Sequence, residues 1–176
     1  MLLKPTDVIF TFRPWDPVSE VIAFFTFPVL YKGVLHHLSH AETIGKVIDD
    51  DNVMCYSADA SGLNYDKVQL SSIPFWVGKT CPSLTDTQSI EILRWLKQHQ
   101  GVPYNFLGLL DFPLQVPLDQ KNALYCSQSV YYAYALLEDK YFNDPKTGGK
   151  SLLMDAPWVS PAHLYTSPYL TRVAGN

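Results

Sequence analysis

Apolar positions follow two rhythms along this chain. The compact β-branched and aromatic run from Thr6 to Phe12 predicts a first strand, broken by Arg13-Pro14-Trp15-Asp16-Pro17. Val18, Val21, Ile22 and Phe25 then recur at helical spacing and predict a helix to Phe27, with Ser19 or Asp16 as its cap and Pro28 as its stop. The segment to His37 reads as a loop or a short extended piece. Leu38–Ile48 and Val53–Ala58 flank the acidic turn Asp49-Asp50-Asp51-Asn52 and predict a hairpin. Leu63–Ile73 and Phe75–Lys79 predict two more strands.

The second half changes period. Thr85–Gln100 is the clearest helix, with Thr85 and Gln88 spaced as a capping box. Ile90, Leu93, Leu96 and Lys97 follow at helical intervals, and Gly101 ends the element. A turn at Val102–Phe106 and a polar loop at Pro113–Asn122 lead to another predicted helix, running from Cys126 to about Lys140. Val130, Tyr131, Tyr134 and Leu137 mark one face of it, and Ser127 and Ser129 are its candidate caps. After a Pro/Gly-rich loop at Asn143–Lys150, Pro157–Val173 reads as largely extended, with Pro161 and Pro168 interrupting it. Strands first and helices after describe an α+β chain, and 176 residues fit one domain, taken as 1–176.

Composition narrows the function classes. The chain is 47% apolar and 17% charged, as an ordered globular protein is. Its 11 Tyr, 9 Phe and 4 Trp fit a ring-filled core before they fit a groove. A net charge of -4 without a basic cluster argues against a nucleic-acid partner. The three cysteines, Cys55, Cys81 and Cys126, cannot all pair, and their spacing gives no zinc signature. Neither a metal nor a cofactor is expected. The window Val21–Leu35, interrupted by Pro28, Lys32 and Gly33, is too short and broken for a transmembrane segment. No signal peptide is visible, so the expected location is the cytoplasm, a virion or another delivery system.

Two residue types carry the candidate chemistry. A thiol at a helix N-terminus feels the positive end of the helix dipole, which raises its thiolate fraction. Cys126 has that placement; read locally, it is equally a small buried core thiol. A cysteine nucleophile needs a base, in practice a histidine. His99, near the end of the clear helix, reads as structural. His36 and His37 lie in a loop, and His163 follows Pro161 in the tail. His40, near a strand start, has the rigid placement that a base needs.

Five separated pieces of the chain resemble, in order, the motifs of the NlpC-type papain-like cysteine peptidases. Pro5-Thr6-Asp7-Val8-Ile9-Phe10 resembles their "GD-apolar-apolar-F" strand, and Ser39-His40-Ala41-Glu42-Thr43-Ile44 their "SHVGI" strand. Gly101-Val102-Pro103-Tyr104 is similar to "G-x-PY", Tyr125-Cys126-Ser127-Gln128-Ser129-Val130 to "CSxLV", and Ser160-Pro161-Ala162-His163-Leu164 to "TPADL". Histidine before cysteine fits the circularly permuted branch, the YiiX/YebB-like proteins, related to the lecithin:retinol acyltransferases.

The resemblance implies a permuted papain-like fold: an antiparallel sheet or small barrel packed on a helix bearing the nucleophile. It implies Cys126 as nucleophile, His40 as general base and Tyr104 lining the substrate site. The family's third catalytic residue sits on the following strand, just before an alanine. The matching position here is Ser57, with Tyr56 beside it, and neither is acidic. Glu42 stands where the family has glycine, two residues from His40 and on the same strand face. Three functions compete: a thiol hydrolase of peptide or amide bonds, with bacterial cell-wall peptidoglycan as substrate; a lipid acyl hydrolase or acyltransferase; and a non-catalytic binding or structural protein, such as a virion component, that keeps the fold.

Overall fold

The computed structural model describes residues 2–12, 20, 22, 24, 28–31, 34–81, 83–110, 122–137, 159–167 and 170–174. Among the described residues, eight strands are β1 (Val8–Thr11), β2 (Val29–Tyr31), β3 (Val34–His36), β4 (His40–Val47), β5 (Asn52–Asp59), β6 (Gly62–Gln69), β7 (Phe75–Thr80) and β8 (Leu170–Ala174). Among the described residues, the helices with defined bounds are α1 (Asp86–Gln98), α2 (Cys126–Ala135) and α3 (Pro161–Tyr165). Six strands form one open antiparallel sheet in the order β6-β5-β4-β1-β7-β8, and β2 pairs with β3 in a separate hairpin. Of the two sheet forms that the resemblance implies, the open sheet is the one present.

β1 is central and buried along its whole length, because Val-Ile-Phe-Thr has no polar face to offer water. Its alternating side chains feed two apolar clusters. Val8 and Phe10 join Ala41, Tyr56 and Ala58 against Ile92 and Leu96 of α1 and Val130 and Ala133 of α2. Ile9 points the other way, to Ile44, Val53, Cys55, Phe75 and Val77. The register places Thr11 opposite His40 and Ile9 opposite Glu42, so the start of β4 is locked against the sheet centre.

Local chemistry explains the element ends. The β4–β5 turn closes because Asp49 Oδ1 accepts from the backbone N–H groups of Asp51 and Asn52. The strand expected over Leu63–Ile73 stops at Gln69, where Leu70–Ser72 turns in a 3-10 helix. The Asp51 carboxylate draws that turn in by accepting from Ser71 N–H, Ser71 Oγ and Gln69 Nε2. α1 has the expected capping box between Thr85 and Gln88. Gly101, at φ +82°, takes the left-handed conformation that ends it. Its buried face is Gln88, Ile92 and Leu96, while Ile90 is exposed. The apolar stripe expected through Ile90 is therefore rotated toward α2.

The tail departs from expectation. Within Pro157–Val173, read as extended, Pro161–Tyr165 forms α3. Ser160 Oγ accepts from His163 N–H, and Pro161 fills the first helical position, where its missing N–H costs nothing. The helix expected over Val18–Phe27 and the loops expected at Pro113–Asn122 and Asn143–Lys150 fall wholly or largely outside the described residues. No helix among the described residues is long and apolar enough to cross a membrane.

Candidate active site

α2 begins at the cysteine itself. Its N-cap is Tyr125, in extended conformation. The two serines expected as caps do other work: Ser127 Oγ donates to the Val159 carbonyl and Ser129 Oγ to the Cys126 carbonyl. The sulfur takes part of the capping role, since the backbone N–H groups of Ser127 and Ala41 donate to it. It also lies 3.9 Å from the Ser39 carbonyl oxygen. A thiolate here is held by oriented N–H dipoles at the positive end of a helix.

His40, the first residue of β4, meets the thiol from the sheet side and hydrogen-bonds it. Its Nε2 is engaged elsewhere, 2.7 Å from Ser57 Oγ and 3.3 Å from Glu42 Oε1. Cys126 and Glu42 are fully buried and His40 is 6% exposed, so the group is shielded from solvent.

Burial works against charge at both members of the pair, and the partners overcome it. For Cys126, desolvation raises the thiol pKa, but the His40 charge and hydrogen bond, with the two backbone N–H groups, bring it below the ordinary 9.0. For His40, desolvation lowers the imidazole pKa. The charges and hydrogen bonds of Cys126 and then Glu42 reverse this and push it up to about 9. Near neutral pH both directions favour thiolate with imidazolium over the neutral pair.

A clasp of buried amides fixes the entrance to α2. Gln128 Oε1 accepts from Tyr125 N–H and from Asn105 Nδ2, each at 3.2 Å, and Asn105 Oδ1 accepts from Gly108 N–H at 2.8 Å. Tyr104 bridges to Leu124 beside it and sets its ring edge-on to Phe106 at 4.9 Å. Asn105 and Gln128 were not legible as site-shaping residues, because neither carries a local signal. Gln128 lies at the third helical position, a capping-box spacing that a tyrosine N-cap conceals.

The structure thus brings Cys126, His40, Ser57 and Glu42 together and leaves Tyr56 out. Tyr56 alternates to the opposite face of β5, where its ring lies 4.4 Å from that of Tyr65. Asp59, at the end of β5, is turned away and accepts from Ser61 and Asn64. Among the other histidines, His99 bonds the Trp95 carbonyl through Nδ1 and stacks on the Trp95 ring. His163 Nδ1 accepts from Ser160 N–H within the α3 cap. His36 belongs to β3, and His37 is exposed. None of the three cysteines is in a disulfide. A cavity of about 570 Å³ between the N-terminal turn and α1, lined by Lys4, Asp7, Lys79, Asp86, Ser89 and Leu93 among others, includes none of the four clustered residues.

Comparison with known proteins bears on the fold. No protein-family model matches the chain, and no curated protein does. The crystal structure of YiiX from Escherichia coli O157:H7, described as a metalloprotein and as DUF1105, is similar with a TM-score of 0.63 at 17% identity. The match covers 98% of this chain and 97% of that one. Among the described residues, no group of three or more His, Cys, Asp or Glu is placed to hold a metal ion. They therefore offer no donor set for the metal that the neighbour's description mentions. The chain has a YiiX-like fold, an open six-stranded antiparallel sheet with few helices.

Proposed function

We propose that this protein is a thiol hydrolase built on a permuted papain-like fold, with Cys126 as nucleophile and His40 as acid–base partner. The observation that carries the reading is the hydrogen bond between a buried thiol at a helix N-terminus and a strand-held histidine, each shifted toward its charged form. The thiolate attacks a carbonyl carbon, and the tetrahedral oxyanion meets backbone N–H groups at the start of α2. Collapse breaks the bond to the leaving amine, which takes the imidazolium proton, and leaves a thioester on Cys126. Water, deprotonated by His40, then attacks the thioester, releases the acid and restores the pair.

Peptide or amide bonds of bacterial cell wall are the proposed substrates, following the resemblance to NlpC-type peptidases. A second reading, transfer or hydrolysis of a lipid acyl group, draws on Phe106 and Leu107. Both are half exposed, next to the clasp that fixes the Cys126 helix. Purified peptidoglycan and a panel of phospholipids, incubated with wild type and with Cys126→Ala, separate the two. Soluble peptide fragments released only by wild type support the first, and free fatty acid the second. Neither product under thiol-reducing conditions would leave a non-catalytic binding role.

A further inference from the structure

Two side chains reach Nε2 of His40, and they come from different strands. Thr43 pairs with Tyr56 and Ile44 with Cys55, so one step back along the register sets Glu42 opposite Ser57. Both project to the same face, and both meet Nε2. They are not equivalent. Ser57 brings a neutral hydroxyl, which can give or take a hydrogen bond. Glu42 brings a carboxylate with no exposure to water, opposite Ile9 on β1 and in the same row as Ile44. A carboxylate in such surroundings is costly unless a cation meets it. The cation at hand is the imidazolium.

Apart from the Cys126 thiolate, which acts on the imidazole first, the other groups around His40 supply no negative charge. Cys126 approaches from the start of α2. Thr11, opposite on β1, is neutral. Asp59 is engaged by Ser61 and Asn64.

We propose that Glu42 is the positioning residue of His40, its carboxylate supplying from the histidine's own strand the negative charge that Ser57, across the strand pair, does not. This rests on the reading of His40 as the acid–base partner of Cys126. Glu42 accepts the Nε2–H, fixes the ring plane and keeps Nδ1 for the proton exchanged with sulfur. Ser57 steadies the same nitrogen without charge. Where the family pattern has a glycine, which carries no side chain, Glu42 lets the orienting group sit beside the histidine instead of across from it.

The test follows the His40 ring by NMR through a pH titration, which needs no substrate. Glu42→Gln should lower its proton affinity by about tenfold or more, while Glu42→Asp, which keeps the charge, retains most of it. Ser57→Ala should lower it by less than Glu42→Gln. The double variant Glu42→Gly/Ser57→Glu returns the carboxylate to the facing strand and should restore the affinity to within about threefold of wild type. An unmoved midpoint in Glu42→Gln, or equal losses in Glu42→Gln and Glu42→Asp, would overturn the assignment, as would a double variant no better than Glu42→Gln. Absence of hydrolysis would count against the hydrolase reading and leave these titrations standing.

Discussion

Replacing His40 by glutamine should abolish the special character of the Cys126 thiol, and the size of the effect can be worked from the site. The imidazole is pushed from 6.5 to about 9 against its own burial. That displacement is a net preference for the imidazolium on the order of 3 kcal/mol, supplied by Cys126 and Glu42 together. Coupling between two titrating groups is reciprocal: what the thiolate does for the imidazolium, the imidazolium does for the thiolate. In His40→Gln, burial acts on the sulfur with only the Ala41 and Ser127 N–H groups to oppose it. The thiol should then titrate at least about one pH unit higher than in wild type, a tenfold loss of thiolate at any pH below the midpoint. The assay is thiolate ultraviolet absorbance against pH, with Cys126→Ser as the blank so that Cys55 and Cys81 cancel. Wild type should show thiolate well below pH 9.0, the ordinary value. A wild-type midpoint at or above that value, or a midpoint unmoved by His40→Gln, would refute the ion-pair argument.

Three further outcomes are expected. If the pair is catalytic, kcat/KM should fall as pH rises through about 9, where His40 loses the proton that the leaving group needs, and rise on the acid side as Cys126 ionises. Gly108→Ala sets a new Cβ 2.6 Å from Asn105 Nδ2 and 2.9 Å from the Tyr125 ring. The clasp must give way, so denaturant unfolding should show a loss of about 1–3 kcal/mol, with slower alkylation of Cys126. Thr85→Ala removes the cap of α1 and should cost about 1 kcal/mol in the same unfolding assay, leaving the Cys126 titration unchanged.

Much of this fold could be read from local pattern. β1, β4, β5 and β7 lie in stretches that the apolar pattern and the turn residues mark as strands, and α1 carries its start and stop signals in Thr85, Gln88 and Gly101. What escaped was set by distant partners. The end of β6 depends on Asp51, about one hairpin away, and the rotation of α1 depends on α2. α3 was hidden because its prolines read as breakers, whereas Pro161 sits in the single helical position that suits it. At the site, Cys126 and His40 were legible from motif order, and alternation along β4 put Glu42 beside His40. Which of Ser57, Tyr56 and Glu42 touches the ring was a matter of register, and register resides in the pairing of strands.

The sulfur and the Ser39 carbonyl are 87 positions apart in sequence. During synthesis the chain emerges from its N-terminus. The strands β1 and β4–β7, with His40 in place at the start of β4, can therefore associate before Cys126 leaves the ribosome. Until α2 docks, the thiol is an ordinary one, without imidazolium or strand N–H groups beside it. A histidine-first order thus delays the perturbation of the Cys126 thiol to a late step of folding, so the nascent chain carries that thiol in its ordinary form.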